Sequence, residues 1–359
     1  MDNMVSKIIK NTKAIYPDQE LADHQLVIFG AGAGGKILKK FLESRNIRIN
    51  LFCDNDQNKW GKYIDGIEVL KPGDLLKMNQ ENLLVCIASN WAADIARQLT
   101  GLGISYLDLT NWKERWKDNF DPGLINDSLE SIEEAYLLLE DEDSKSTIFS
   151  ILKYRLNLDP KVLYLANYEQ YFHPLVKPQP GEVIFDGGAY NGSTAVKIIK
   201  QLDGDCKIYA FEPELNNWNA LQEQIQKLAL NQVKPVKAGL WDDNVQGFIN
   251  IDSDTALGHH VDKKGTQQIQ LISIDSFVEQ EKIWPDLVKM DIEGSEKNAL
   301  KGAIGTIKKC KPKLIICLYH QPGDLWEIPL FLASLGCKYR YFLGHHSQNI
   351  TETVLYCTV

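Results

Sequence analysis

No stretch of the 359-residue sequence approaches the roughly 18 consecutive apolar residues that a membrane-spanning helix needs. The N-terminal MDNMVSKIIKNTK carries no apolar core, so a secretory signal is not expected. Basic residues are in deficit: 39 Lys and Arg face 48 Asp and Glu, a formal net charge of −9. Binding a nucleic-acid backbone needs clustered Lys and Arg, and no such cluster is visible, so nucleic acid is excluded as the main partner. The cysteines are few and scattered: Cys53, Cys86, Cys206, Cys310, Cys317, Cys337 and Cys357 form no C-x-x-C pair. Several lie in apolar runs such as LLVCIAS and LIICLYH, as small buried hydrophobes do in a reducing compartment. No His/Cys spacing resembles zinc ligation, and no metal site is expected. These absences together point to a soluble cytoplasmic protein.

What is present is an alternation of strand-like and helix-like segments. Residues 20–115 run from LVIFG through KILKKFLESRN, INLFCDND and LLVCIAS to WAADIARQLTGLG, the pattern of a parallel α/β sheet. Residues 116–178 are polar and helix-prone. There Ser131-x-x-Glu134 ahead of AYLLLE reads as a capping box, and HPLVKPQPG reads as a boundary. From 179 onward strand-like runs alternate with helical patterns, and the last two, KYRYFLGHH and TETVLYCTV, leave no room for a helix between them. They predict an antiparallel hairpin at the edge of a mostly parallel sheet. The expected organisation is an N-terminal Rossmann-like domain (1–115), a helical linker (116–178) and a second Rossmann-like domain (179–359). Segment 128–158 offers either a domain bridge or the face of a homodimer.

Two glycine-rich turns follow strands. The second, VIFDGGAYNGST at 183–194, has the spacing Asp186-x-Gly188-x-x-x-Gly192 rather than the dinucleotide G-x-G-x-x-G. Gly188 allows close approach of a ligand, and Gly192 starts a helix beneath it. Glu212 closes the next strand, where a carboxylate suits a ribose diol. Acids at two consecutive strand ends fit S-adenosylmethionine (SAM), which has an ammonium and a ribose but no pyrophosphate, better than NAD.

Residues 286–303 read DLVKMDIEGSEKNALKGA. This stretch closely resembles the FkbM family of SAM-dependent methyltransferases, whose hallmark is K-[ILM]-D-[IV]-E-G-x-E followed by A-L-x-G-A. FDGGAYNGST, AFEPE, SIDSF with Asp275, KPKLIICLYH, DLWEIP and GHHSQNITETVLY fit in order, so the resemblance spans about 165–359. Gly344 stands where the family's R-H-H pattern has Arg before His345 and His346. The resemblance implies a class I methyltransferase fold and O-methylation with SAM as donor. It places Asp186, Gly188, Ala189, Tyr190 and Asn191 along the methionine part of SAM. Glu212-Pro213 falls at the ribose, and the stretch around Leu240 at the adenine.

Independently, Asp291 and Glu293 close a strand at the carboxyl edge of the sheet, where ligands of open α/β sheets bind. Methyl transfer to a hydroxyl needs in-line alignment and removal of a proton. Asp291 and His320, with Glu293 beside them, are the candidate catalytic residues. In the alternative, these acids hold a divalent cation that acidifies the hydroxyl, a cofactor that is possible but not expected.

The first turn contains Gly30, Gly32 and Gly35 as G-x-G-x-x-G after a strand, with Asp54 following 24 residues after Gly30. Residues 25–105 also resemble the N-terminal Rossmann-like domain of sugar acetyltransferases, which implies a nucleotide or nucleotide-sugar ligand held by these glycines and Asp54. The expected function is therefore SAM-dependent O-methylation of a sugar, nucleotide-sugar or other small-molecule hydroxyl. The alternatives are an NAD(P)-dependent oxidoreductase using the first turn, and a non-catalytic nucleotide-binding protein.

Overall fold

The computed structural model describes residues 4–22, 24–112, 117–249 and 265–359. The paired His259 and His260 lie outside the described residues. The chain divides into two compact units. The first comprises Met1–Glu133, Lys145–Leu165 and His345–Thr351; the second comprises Glu134–Ser144, Ala166–Gly344 and Glu352–Val359. Segment 345–351, which the sequence assigns to the C-terminal domain, thus groups with the first unit.

The first unit holds β1 (Gln25–Phe29), β2 (Leu51–Cys53), β3 (Tyr63–Ile64), β4 (Ile67–Leu70), β5 (Leu83–Ile87) and β6 (Tyr106–Asp108). They form one sheet in the order β3-β4-β2-β1-β5-β6. All its pairings are parallel except β3 with β4. β5 is buried at every position, as a strand covered on both faces must be. The Ser131–Glu134 capping box does not form: the helix begins at Leu129, so both residues sit inside it.

The second unit holds β7 (Glu182–Gly187), β8 (Cys206–Phe211), β9 (Val233–Val236), β10 (Gly239–Leu240), β11 (Val245–Ile249), β12 (Gln267–Ile272), β13 (Leu287–Met290), β14 (Lys313–Cys317), β15 (Arg340–His345) and β16 (Thr353–Thr358). Seven strands make the main sheet, in the order β15-β16-β14-β13-β7-β8-β9. β16 runs antiparallel to β14, so the terminal hairpin inserts its last strand and leaves β15 at the edge. Gly239–Leu240, Val245–Ile249 and Gln267–Ile272 do not join that sheet. They build a separate three-stranded sheet, β10-β12-β11, in which β11 is antiparallel to β12. A turn through Asp242–Asn244 reverses the chain there, and Asn244 accepts a hydrogen bond from Ser273 N at 2.9 Å.

Strand order reverses between β7 and β13, which defines the switch point where ligands of such sheets bind. Both strands are apolar at their centres except for one charge each. Parallel register places Lys289 of β13 directly beside Asp186 of β7. Their side chains are 3% and 0% exposed and pair at 2.9 Å. Lys289 Nζ also donates to the carbonyls of Gly187 and Gly188 at 3.1 and 3.0 Å. A lysine inside a fully buried strand is tolerated because its ammonium is neutralised and hydrogen-bonded in place.

Lys289→Ala strands Asp186 as an uncompensated buried charge. It is expected to lower stability by about 3–5 kcal/mol in urea unfolding. The double variant Lys289→Met/Asp186→Asn is expected to recover much of that loss, because neither charge is left behind.

Candidate active site

At the carboxyl edge of β7, β8 and β13 lies a cavity of about 310 Å³, within the roughly 300–1,000 Å³ of small-molecule sites. Its walls include Gly188, Ala189 and Tyr190 from the turn after β7, and Glu212 and Pro213 after β8. Leu240 on β10 and Asp291 and Glu293 after β13 complete the side predicted from the sequence. Asp186 and Asn191 do not line it. Asp186 is buried against Lys289 instead, and Asn191 Oδ1 caps the following helix by accepting from Ser193 N at 3.1 Å.

Gly188 has φ +71°, and a Cβ there would sit 1.9 Å from the carbonyl oxygen of Asp291. The glycine is therefore dictated first by backbone against backbone across the switch point. Glu212 is 5% exposed. One of its oxygens accepts from Tyr190 N at 2.9 Å and the other from Glu214 N at 3.0 Å. The Asn217 side chain also donates to this carboxylate, which keeps acceptor capacity for a ribose hydroxyl. Burial pushes the Glu212 carboxyl up to about 7, against the pull of the two N–H donors. Leu240, Ile249, Ile269 and Leu271 form an apolar wall of the same cavity. A two-acid rim, close backbone and an apolar wall match a ligand with a charged end, a ribose and a flat base.

Asp291 is the hub of the opposite end. Its Oδ2 accepts from the Tyr171 hydroxyl at 2.9 Å and its Oδ1 from the Tyr319 hydroxyl at 3.1 Å. Burial works to raise its pKa, but Lys289, His320 and the two hydroxyls overcome it and hold the carboxyl below its usual range. His320, 1% exposed, lies three residues beyond β14 rather than at its end. Its Nδ1 contacts Glu296 Oε1 at 2.8 Å, and its Nε2 faces Asp291 and Glu293 at 3.5 and 3.6 Å. Burial opposes charge on the ring, yet Glu296, Glu293 and Asp291 raise its pKa to about 10. The imidazole is thus a cation at neutral pH, the wrong state for a proton acceptor, and it does not line the cavity. Of the three candidate catalytic residues, Asp291 and Glu293 line the cavity and His320 does not.

Sequence reasoning missed Tyr171, Gln170 and Glu352, all of which line the cavity. Tyr171, Tyr190, Glu293 and Glu352 hold φ between +51° and +72°, but nine other non-glycine residues among those described also have positive φ, so this conformation does not single out the cavity.

The first turn sits in the other unit. A Cβ on Gly35 would lie 1.8 Å from the carbonyl oxygen of Gly30, so helix packing on the strand explains that glycine without a ligand. Asp54 accepts from Ala31 N at 2.7 Å, Asp56 N at 2.8 Å and Lys59 Nζ at 2.8 Å. Its carboxylate staples its own loop to the turn. Gly32 faces open space: a Cβ there would meet no atom within 4 Å.

The charge of His320 makes a pH prediction. Its folded pKa lies above the ordinary 6.5, so its contribution to stability is complete below that pH and is lost as pH rises toward 10. Urea midpoints across this range should fall, and Glu296→Gln should move the fall to lower pH by removing the nearest acid.

Residues 186–341 match the family model described as the methyltransferase FkbM domain. Residues 22–107 match the family model described as C2185-like, N-terminal, a description that names no sugar acetyltransferase. The hexuronic acid methyltransferase AglP of Haloferax volcanii is 28% identical over 163 residues, covering 44% of this chain and 64% of that protein. The match thus spans less than two thirds of the relative's length. The crystal structure of methyltransferase FkbM from Methylobacillus flagellatus superposes with a TM-score of 0.79 at 19% identity, covering 99% of this chain and 98% of that one, which shows a shared fold. Residues 186–341 thus carry the likeness to the FkbM methyltransferase domain, and the motif residues of that family gather around one cavity at the switch point.

Proposed function

We propose that this cavity transfers a methyl group from SAM to a hydroxyl of a sugar of the uronic-acid class. The observation that carries the reading is the meeting of Glu212 and Asp291 in one cavity, from strands on either side of the glycine turn. When bound, SAM supplies a methyl group activated on a sulfonium; the remaining work falls to residues of the chain. Glu212, already fixed by two N–H donors, receives the ribose hydroxyls. The turn through Gly188, Ala189 and Tyr190 admits the methionine part, and the wall around Leu240 receives the base.

Asp291 serves the acceptor. Two tyrosine hydroxyls lock its carboxylate, and Lys289 and His320 keep it ionised. A locked carboxylate orients the sugar by accepting a hydrogen bond from a hydroxyl beside the one that attacks, which aligns the attacking oxygen and the methyl group. The sugar class rests on likeness to a hexuronic acid methyltransferase.

Calorimetry with SAM tests the donor half. Glu212→Ala is expected to weaken binding about 10–100-fold, as loss of hydrogen bonds worth ~1.5–3 kcal/mol would. Wild-type affinity in that variant would remove Glu212 from the donor site. Mass spectrometry of UDP-glucuronic acid incubated with enzyme and SAM tests the acceptor half. A methylated product is expected, and an unmodified sugar alongside tight SAM binding would overturn the uronic-acid assignment.

A further inference from the structure

We propose that Glu352, the residue immediately before β16, takes the proton from the hydroxyl that is methylated in this cavity. The assignment rests on the methyl-transfer reading and names the base within it. As the oxygen–methyl bond forms, the carbon–sulfur electron pair leaves with sulfur, the O–H bond breaks, and the proton comes to rest on a Glu352 carboxylate oxygen.

The placement is geometric. β16 runs antiparallel to β14 with Val354 opposite Cys317, and Leu318 N donates to Thr353 O at 2.9 Å. This pairing brings the first residues of β16 back to the carboxyl edge, beside the loops after β13 and β14. Glu352 lines the cavity with Asp291. Gln170, on the same wall, donates to its carboxylate and aims it. Glu352 holds φ +69°, a conformation that glutamate adopts only at a cost.

Asp291, His320 and the two tyrosines at this end are less suited to accept a proton. Asp291 is pinned by two hydroxyls and two cations. His320 already carries a proton. Burial, the largest cause, drives Tyr171 and Tyr319 well above 10, so they are neutral donors.

Around Glu352 stand Asp291 and Glu293 from the β13 loop, His320 and Tyr319 from the β14 loop, Cys317 on β14, Tyr171 ahead of β7, and Tyr356 on its own strand. Burial first, then the negative charge of Asp291, pushes Glu352 up to about 7, while Gln170 and His320 pull the other way. Of the carboxylates that line this cavity, Asp291 is thus driven down and Glu352 up to about 7, a separation of the kind that divides acid–base roles in active sites.

The first test needs no ligand. Glu212 and Asp108 are also pushed to about 7, so the informative signal is the infrared pH titration of wild type minus that of Glu352→Gln. A protonated carboxyl band lost with a midpoint near pH 7 is expected. A midpoint below about pH 5, in the ordinary glutamate range, overturns the proposal. The second test uses SAM and UDP-glucuronic acid. Glu352→Gln should bind SAM as wild type does while turnover falls about 10²–10⁴-fold, and the wild-type rate should rise with pH through 7. Undiminished turnover in Glu352→Gln overturns it. Failure of wild type to methylate this sugar counts against the acceptor assignment above, and the infrared result then decides Glu352 by itself.

Discussion

The buried ion pair of Lys289 and Asp186 is the contact on which the site depends. It bridges β7 and β13 at the point where strand order reverses, and it does so inside strands whose neighbouring positions are apolar. Removing two charges from water costs several kcal/mol per ion, recovered only with good geometry and further hydrogen bonds. Here the ammonium also binds the carbonyls of Gly187 and Gly188. It therefore fixes the glycine turn and the Asp291 loop relative to each other, and the 1.9 Å that separates a hypothetical Gly188 Cβ from Asp291 O shows how closely they are held. The same cation sits 5.4 Å from the Tyr171 ring centroid and lowers the pKa of Asp291.

A second buried cation balances the acids on the other side of Asp291. His320 is surrounded by Asp291, Glu293 and Glu296, and burial that would ordinarily discharge an imidazole is outweighed by three carboxylates. The two cations stabilise Asp291 from both sides. Glu352 pairs with neither at short range and feels the Asp291 charge directly, so its pKa moves the opposite way. One constellation of charges thus lowers the pKa of one carboxyl and raises that of another.

The N-terminal unit shows what a glycine motif does and does not encode. Gly30-x-Gly32-x-x-Gly35 and Asp54 satisfy the dinucleotide spacing. Yet Gly35 is demanded by the Gly30 carbonyl, and Asp54 is consumed by Ala31, Asp56 and Lys59. The motif specifies a helix packed closely on a strand, which is a backbone requirement that a ligand site shares but does not own.

Both parallel sheets and the terminal hairpin were legible as alternating apolar runs, because strands covered on both faces leave a continuous hydrophobic signature. The glycine turn and the acids Glu212, Asp291 and Glu293 were legible because strand ends carry ligand chemistry at fixed positions in the chain. The three-stranded sheet was not, since short runs such as Gly239–Leu240 carry no mark of which sheet they join. Nor were the partners of each acid. Whether Asp186 faces a ligand or a lysine depends on the register between β7 and β13, about 100 residues apart in the chain. The charge of His320 depends on three carboxylates converging in a dry interior. Glu352 reaches the cavity only because β16 inserts beside β14. The sequence by itself determined the fold class and the strand ends at which chemistry sits. Tertiary structure alone decided which of those acids is paired, which is locked and which is free to titrate, because burial and the distance between charges exist only once distant strands meet.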